Sequence, residues 1–373
     1  MRSLLLTVTV LCLAFGPASG DVTRVSLGDI PRTYAHYLNA EEAALCGAAA
    51  ATGGVGASFY NPALVARVRG AGGIATVRYN VKSRNYLPDD LDSSDHGLLF
   101  SQAVAVKSAT PVTYGFSYAA PSYRSVELAG LVGGEVYEAR FTGGLRFFEV
   151  LFGSRIGSSG QGAIGVAAGI VNLNEEARVS RPGSVESSRI DGIAASLAFG
   201  FVFDAAEWLS VGVGHRLSSS VEVEGELNAG GGPSSGTSET QSTSVVGLTY
   251  RATSALSVHA SYLNAGWGAA KSTLAAYPDP ERDLFSDAIG TAALGVEFVL
   301  PGDRVEIRAG GSKVVQGEAE NAIVPEYSAG LGAVLRFRQY SAQLSLVREQ
   351  FELDGESAEV INYGIYGSVG YSF

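Results

Sequence analysis

Residues 361–373 end the chain with the sequence INYGIYGSVGYSF, and this stretch decides the fold. Every odd position from Ile361 to Phe373 except Gly367 holds an apolar or aromatic side chain. The even positions hold asparagine, glycine or serine, with Tyr366 as the exception. Because successive side chains of a β-strand point to opposite faces of the sheet, the pattern predicts a strand with one apolar and one polar face.

The same alternation recurs at residues 75–82, 256–262, 304–309 and 331–337. A soluble β-sandwich also alternates, so the lengths of the connections are needed to discriminate. Short connections are predicted at 108–111, 204–207, 252–254, 301–303 and 338–339. Longer polar connections are predicted between them, at 85–96, 122–133, 174–186, 228–240, 266–286, 316–321 and 352–357. Alternating long and short connections are typical of outer-membrane barrels.

About 14 strands of roughly 10 to 15 residues fit between these connections. We therefore predict an all-β fold, a transmembrane antiparallel β-barrel of about 14 strands with a small N-terminal helical plug. Tyrosines are expected to form girdles at the membrane interfaces, and small residues on the inner face suit a lumen that must leave room. The girdle candidates are Tyr79, Tyr262, Tyr340, Tyr363 and Tyr371, and the small inner residues are Ala194, Ser196, Ala198 and Gly200.

The composition agrees with a chain that meets lipid. Charged residues make up only 17% of the 373 residues, against about a quarter in soluble domains. A hydrophobic fraction of 46% excludes a disordered chain. The formal net charge of −11 argues against a nucleic-acid partner, which would need a positive face.

The N-terminus has the form of a secretory signal. Arg2 precedes an apolar run at 4–15, and Ala18 and Gly20 are small residues at the positions expected before a cleavage site. We expect the mature chain to begin at Asp21. This places the protein in the outer membrane of a diderm (Gram-negative-type) bacterium, in contact with outer-membrane lipid.

The expected domains are a signal peptide at 1–20, a periplasmic segment with the plug at 21–70, and the barrel at 71–373. The terminal Phe373 is the residue by which the outer-membrane barrel assembly machinery would recognise the chain. Cys46 is the one cysteine after the signal, so no internal disulfide is expected.

Residues 32–70 do not alternate. Asn39 precedes an alanine- and glutamate-rich run in which Glu42 stands at the capping-box position, which predicts a short helix ending at Gly47. Apolar residues as small as those at 48–58 cannot support an independent domain, but they can pack tightly inside a barrel. We interpret the segment as a hatch in the lumen; a periplasmic linker is the alternative.

Two stretches resemble one family. Residues 54–64, GVGASFYNPAL, are similar to the N-terminal hatch signature of the long-chain fatty acid transporter (FadL-type) family, in which an Asn-Pro-Ala motif precedes strand one. Residues 115–121, GFSYAAP, resemble the strand-three segment of that family, although Ser122 and Tyr123 stand where the family has Phe-Gly.

The resemblance implies hatch-gated transport of fatty acids or similar hydrophobic molecules. Rearrangement of the hatch and a kink in strand three would let the ligand leave sideways into the membrane. The implied kink residues are Gly115 and Pro121, although Pro121 could instead begin an outer loop. The implied ligand and gating residues are Phe59, Tyr60, Asn61, Pro62 and Ala63. For Asn61 and Pro62 an ordinary turn is the alternative, and for Phe59 and Tyr60 it is packing against the wall.

The strand alternation places several positively charged side chains on the inner face of the barrel. Arg78, Arg304 and Arg308 are candidate contacts for a ligand carboxylate, and Lys82 and Arg336 share their parity. Glu297 and Glu306 lie on the same face, so bracing ion pairs are the favoured interpretation.

The sequence gives little support for catalysis, nucleotide binding or metal binding. The histidines His36, His96, His215 and His259 are scattered without metal-ligand spacing, and no nucleotide-binding or nucleophile motif occurs. The acidic residues Asp89, Asp90, Asp92 and Asp95 could hold calcium but more often mark a solvated loop. We expect no catalytic residue, no cofactor and no metal.

A rival function comes from a different class. Barrels of the PorV/PorQ type act as secretion partners or surface scaffolds and bind protein. A continuous apolar cavity beneath the hatch would favour transport, whereas a lumen filled with ion pairs would favour the scaffold.

Overall fold

A computed structural model describes residues 33–34, 37–68, 70–83, 91–108, 111–132, 135–157, 160–181, 184–227, 231–266, 288–317, 325–351 and 360–372. The predicted signal, the acidic residues Asp89 and Asp90 and the terminal Phe373 lie outside these ranges. None of the helices within the described residues is long and apolar enough to cross a membrane.

The strands form one sheet that closes on itself. A two-residue strand, β1 (Thr33–Tyr34), precedes the barrel. The first half of the barrel contains β2 (Ala71–Ser83), β3 (Leu91–Lys107), β4 (Val112–Val132), β5 (Glu135–Ile156), β6 (Gly162–Arg181), β7 (Ser184–Ala206), β8 (Leu209–Arg216) and β9 (Ser220–Leu227). The second half contains β10 (Gly231–Glu239), β11 (Ser242–Arg251), β12 (Leu256–Gly266), β13 (Ala288–Val299), β14 (Val305–Gln316), β15 (Tyr327–Phe337), β16 (Tyr340–Phe351) and β17 (Val360–Ser372).

Two of the barrel strands are interrupted. β8 and β9 both pair with β7, and β10 and β11 continue each other beside them. Counting each interrupted strand once gives 14 strands, and antiparallel pairing of β17 with β2 closes the barrel. The predicted all-β transmembrane barrel of about 14 strands is confirmed.

The alternation places the apolar residues outside. In β17, Val369 and Tyr363 are exposed, whereas Ser368 and Asn362 are buried. The exception in the pattern, Tyr366, faces the lumen and is 2% exposed. A large apolar outer surface with a polar interior is the arrangement expected of a barrel surrounded by lipid.

Aromatic pairs lie on the outer wall beside the short turns. Tyr340 and Tyr371 have ring centroids 5.1 Å apart next to the turn at 338–339. Trp208 and Tyr250 form a similar pair at 5.7 Å. These pairs have the position of an interfacial girdle, because the amphipathic rings of tyrosine and tryptophan favour the membrane boundary.

Some predicted connections are wrong. The segments at 122–133 and 174–186 are mostly strand, because β4 continues to Val132 and β6 to Arg181. Strands therefore reach 23 residues in β7, beyond the predicted 10 to 15. Polar composition is typical of loops, but it equally suits a wall that continues past the membrane into water, where the antiparallel ladder still satisfies the backbone.

Candidate functional site

The hatch begins with a capped helix in the lumen. Helix α1 (Ala40–Ala44) starts at Asn39, whose side-chain oxygen accepts a hydrogen bond of 3.0 Å from the Glu42 amide. The Glu42 carboxylate accepts one of 2.8 Å from the Leu38 amide. The predicted cap is confirmed, although α1 ends three residues before Gly47, which adopts a φ of +81°.

Burial changes the chemistry of two hatch side chains. Glu42 is completely buried, and desolvation raises its pKa to about 8, with the neighbouring Glu41 charge adding to the effect. Burial likewise raises the pKa of the Cys46 thiol to about 12. A protonated Glu42 and a neutral thiol are therefore the forms that the packed hatch favours near neutral pH.

Small residues let the hatch backbone approach the wall. The segment 48–51 is all alanine and fully buried. A methyl group added at Gly214 of β8 would overlap the Tyr60 carbonyl oxygen, and one at Gly310 of β14 would overlap the Leu45 backbone. Glycine at these wall positions therefore allows close contact between the backbones of the wall and the hatch.

The Asn-Pro-Ala residues fix the end of the hatch. Two 3₁₀ helices, Val55–Phe59 and Pro62–Arg67, lie on either side of Asn61. The Asn61 side chain accepts a hydrogen bond from the Ala63 amide at 3.1 Å and thereby caps the second helix. Its amide group donates to the carbonyl oxygens of Ala51 at 2.7 Å and Phe201 at 3.0 Å.

Arg216 links the wall to the hatch. Its guanidinium pairs with Glu149 and contacts the Ser196 hydroxyl at 2.9 Å, all three side chains being buried on the inner wall. A further hydrogen bond of 2.8 Å runs from Arg216 Nη2 to the Phe59 carbonyl oxygen. The sequence did not single out Arg216; the signal that could have found it is its shared parity with Gly212 and Gly214, which face the hatch.

Two cavities border the hatch, and Phe59 lines both. The larger surrounds about 470 Å³ of space, part of which is open to solvent. It is lined by Phe59, Tyr60, Pro121, Leu145, Phe147, Arg216, Thr240, Gln241, Thr243, Leu263 and Ala265. The smaller surrounds about 260 Å³ of space, also partly open to solvent, between the hatch and the wall strands β2, β3 and β4, with Ser101, Ala103 and Ala119 among its lining residues. Phe59 thus lies against both spaces.

The wall is interrupted beside the smaller cavity. β3 and β4 pair at Gln102 with Tyr118 and again at Ser94 with Glu127, so residues 95–101 and 119–126 do not pair with each other. On its other side β4 carries one extra residue relative to β5 between Ala119 and Ser122, which places Pro121 in a bulge. Pro121 therefore lies within a strand and not at the start of an outer loop, and Gly115 lies in the regularly paired part of β4.

The strand β1 occupies this interruption. Thr33 pairs with Tyr123, and Tyr34 pairs with Ser122, in antiparallel register. Because β5 occupies the other edge of β4 at these positions, β1 uses the edge that β3 leaves vacant. The N-terminal segment thus supplies the missing hydrogen-bond partner of the wall.

The predicted lumen cations have different surroundings. Arg308 lies between three carboxylates, those of Glu306, Glu297 at 3.1 Å and hatch residue Glu41 at 3.7 Å, and Arg336 pairs with the same Glu306. Buried Arg78 contacts the Tyr37 carbonyl oxygen at 3.5 Å, whereas Arg304 is exposed beside a short turn. The side chain of Lys82 lies outside the described residues.

Two polar side chains of β12, His259 and Ser261, make separate contacts. His259 shares a hydrogen bond of 2.9 Å with Thr249, and the Ser261 hydroxyl donates to the Gly47 carbonyl of the hatch. Among the residues that the structure describes, no three of histidine, cysteine, aspartate and glutamate are grouped to hold a metal.

No protein-family model matches the sequence, and no curated protein matches it. Solved structures do. A Pseudomonas aeruginosa FadL homologue superposes with a TM-score of 0.64 at 13% identity, over 92% of this chain and 99% of that one. The Pseudomonas putida toluene transporter TodX gives a TM-score of 0.62 at 12% identity, and the Ralstonia pickettii toluene transporter TbuX gives 0.62 at 10%; each covers 91% of this chain and 99% of its own. The FadL-type resemblance is confirmed at the level of the fold.

Proposed function

We propose that this chain, which has the fold of FadL-type outer-membrane channels, conducts small hydrophobic molecules across an outer membrane under control of its hatch. The observation that carries the proposal is the pair of cavities on either side of Phe59, the smaller one bordering the interruption between β3 and β4. A blocked barrel with an internal cavity and a weak place in its wall suits a ligand that prefers lipid to water.

The larger cavity favours a neutral ligand over a carboxylate. Phe59, Phe147 and Leu145 form apolar walls of this cavity. Arg216 is the one cation among the described lining residues, and Glu149 neutralises it. A fatty acid would bring a second carboxylate into a site whose cation is already paired, and this would cost desolvation without a new partner.

The named substrates of the neighbours agree with this choice. TodX and TbuX are called toluene transporters, and a further neighbour of 11% identity, CymD, is called a monoaromatic hydrocarbon channel. Movement of Phe59 would let a single aromatic ring stack on Phe147, which lines this cavity.

The proposed exit is lateral. Ala119 lines the smaller cavity, Pro121 lines the larger one, and both lie at the bulge of β4. Among the residues that the structure describes, the two pairs formed by Thr33 and Tyr34 close the edge of β4 there, so release of β1 would open the wall without breaking a ladder between barrel strands. A hydrophobic molecule leaving by this route enters lipid directly.

Location in the outer membrane is part of the same proposal. It is supported by the apolar outer surface, by the aromatic pairs beside the short turns and by the expected signal at 1–20. Expression with a tagged mature chain and separation of inner from outer membranes would test it.

Uptake into proteoliposomes tests the function. Vesicles with a lipopolysaccharide outer leaflet, which slows the passive entry of hydrophobic molecules, should take up radiolabelled toluene faster when they carry the full mature chain than when they are empty, and radiolabelled oleate should show a smaller gain. The lipid-facing variant Leu331→Ala is a matched control that should behave as the parent. Equal toluene uptake with and without protein would refute the proposal, and a gain confined to oleate would refute the preference for neutral ligands.

The scaffold function remains the second candidate because of the Arg308 cluster. Four carboxylate and guanidinium groups of the wall, from Glu297, Glu306, Arg308 and Arg336, form a brace that also reaches hatch residue Glu41. Such a brace suits a rigid barrel. Absence of uptake together with stable capture of a secreted protein by the purified chain would favour this alternative.

A further inference from the structure

We propose that Arg216 is a positioning residue that holds Phe59 between the two cavities and so keeps the passage closed. The inference rests on the proposed function, because closure matters only if a ligand passes. The inference names Arg216 as the wall residue that controls the position of the hatch.

One side chain of the wall holds both the backbone and the ring of Phe59. Arg216 donates a hydrogen bond of 2.8 Å to the Phe59 carbonyl oxygen, and its guanidinium carbon lies 3.9 Å from the centre of the Phe59 ring. The same guanidinium lies 4.9 Å from the ring centre of Phe147 on β5. The position of Phe59 is therefore fixed relative to the wall in both translation and orientation.

The charge of Arg216 does not depend on the hatch. Its partners Glu149 and Ser196 belong to β5 and β7, and Nη2 also reaches the second carboxylate oxygen of Glu149 at 3.0 Å. When Phe59 leaves, the guanidinium stays paired, and only a hydrogen bond to a neutral carbonyl and a ring contact are lost. The contact with Arg216 is thus strong enough to position Phe59, and breaking it leaves no buried charge unpaired.

The Arg308 cluster differs in this respect. There the hatch contributes a carboxylate, that of Glu41 at 3.7 Å, so movement of the hatch would leave a buried charge less well compensated. A buried charge that loses its partner is expensive. Release of Phe59 from Arg216 should therefore cost less than release of Glu41 from Arg308.

An aromatic ligand would compete for the same surfaces. The Phe59 ring meets those of Tyr60 and Phe147 edge to face, each with centroids 5.3 Å apart. These three rings and Arg216 all line the larger cavity. A ligand ring placed there can replace the contacts that hold Phe59, which couples binding to release.

Thiol accessibility of the smaller cavity tests the inference. In a Cys46→Ala background, Ala103→Cys places a thiol in that cavity, and Ser261→Cys places a control thiol at a hatch contact outside both cavities. The full chain in detergent is labelled with a water-soluble methanethiosulfonate reagent. Replacing Glu149→Gln together with Arg216→Met removes both charges at once, so neither is left unpaired.

The double replacement should speed labelling at position 103 about tenfold or more, as expected for the loss of a hydrogen bond to a charged group, and leave position 261 unchanged. Phe59→Ala should reproduce the gain. An unchanged rate at position 103, or equal gains at both positions, would overturn the inference. Arg216→Lys, which keeps the charge beside Glu149 but loses the planar stack, should give a smaller gain and serves if the double variant fails to assemble.

Toluene uptake measured on the same proteins separates the two proposals. Faster labelling at position 103 with no uptake by any protein, including the parent, would leave the positioning role intact and refute transport. Uptake by the parent with unchanged labelling in the variants would refute the positioning role and leave transport intact.

Discussion

The side-chain amide of Asn61 donates a hydrogen bond of 3.0 Å to the carbonyl oxygen of Phe201, which joins the end of the hatch to strand β7. The same nitrogen reaches Ala51 within the hatch at 2.7 Å, and the side-chain oxygen caps the helix that begins at Pro62. The buried side chain of Asn61 thus connects two parts of the hatch with each other and with the wall. Its place in the structure argues against an ordinary turn as its role.

Loss of Asn61 should therefore open the hatch. Asn61→Ala leaves two buried carbonyl oxygens without their donor, at a cost of about 3 kcal/mol, or roughly a hundredfold in the opening equilibrium. The buried thiol of Cys46 reports opening, and its rate of reaction with a thiol reagent should rise by that factor. Asn61→Asp keeps the cap but turns the donor into an acceptor facing two carbonyls. It should open the hatch at least as much, and a parent-like rate would contradict the assignment.

Close backbone contact predicts an effect of adding one methyl group. Gly214→Ala should displace Tyr60, because the new methyl would overlap the Tyr60 carbonyl oxygen, which cannot move without the hatch. Faster labelling of Cys46 is the expected result. Gly367→Ala is the matched control, since a methyl group there meets nothing within 4 Å. Equal rates in the two variants would show that the hatch does not depend on this contact.

The stability of the hatch should fall as pH rises. Burial raises the pKa of Glu42 from 4.5 to about 8, so the folded hatch binds a proton that the opened hatch releases. The contribution is fully present below about pH 4.5 and is lost as pH rises through about 8. The ratio of Cys46 labelling rates, parent over Glu42→Gln, should increase across this window. Glutamine stays neutral and can still accept from the Leu38 amide, so a constant ratio would contradict the prediction.

Strand alternation made the barrel predictable. The contacts that lumen-facing side chains make with the hatch were not predictable from it. The one residue that broke the pattern in the last strand, Tyr366, packs edge to face on hatch residue Tyr37 with centroids 6.5 Å apart. That contact joins residues distant in sequence, which periodicity does not encode. The role of Arg216 could not be predicted for the same reason. An arginine on the inner face of a strand gives the same sequence pattern whether it contacts water, a carboxylate or a carbonyl oxygen of the hatch.

The interruption between β3 and β4 could be predicted only in part from the sequence. Pro121 predicted a local break because it cannot donate to a ladder, and the bulge lies there. The partner that fills the break could not be predicted, since two residues, Thr33 and Tyr34, are too short to carry a periodic signal. Pairing of so short a segment depends on the vacant edge that the tertiary structure provides.

A disulfide across β1 and β4 should block lateral exit. Tyr34 and Ser122 are directly paired, and antiparallel partners have Cα atoms at a separation that a disulfide can span. In a Cys46→Ala background, Tyr34→Cys with Ser122→Cys should lose toluene uptake in proteoliposomes when oxidised and regain it on reduction. The loss is expected because β1 would no longer be able to leave the edge of β4.

The control pair joins strands that are paired throughout. Ala333→Cys with Leu344→Cys links β15 to β16 on the lipid-facing side, at a register position far from the interruption, and should leave uptake unchanged in both redox states. If the locked β1 variant transports as well as its reduced form, the ligand leaves by another route. If both disulfides abolish uptake, the barrel as a whole must flex during passage, and the wall beside β1 has no special part in it. Only loss confined to the β1 lock, reversed by reduction, supports exit through the interruption between β3 and β4.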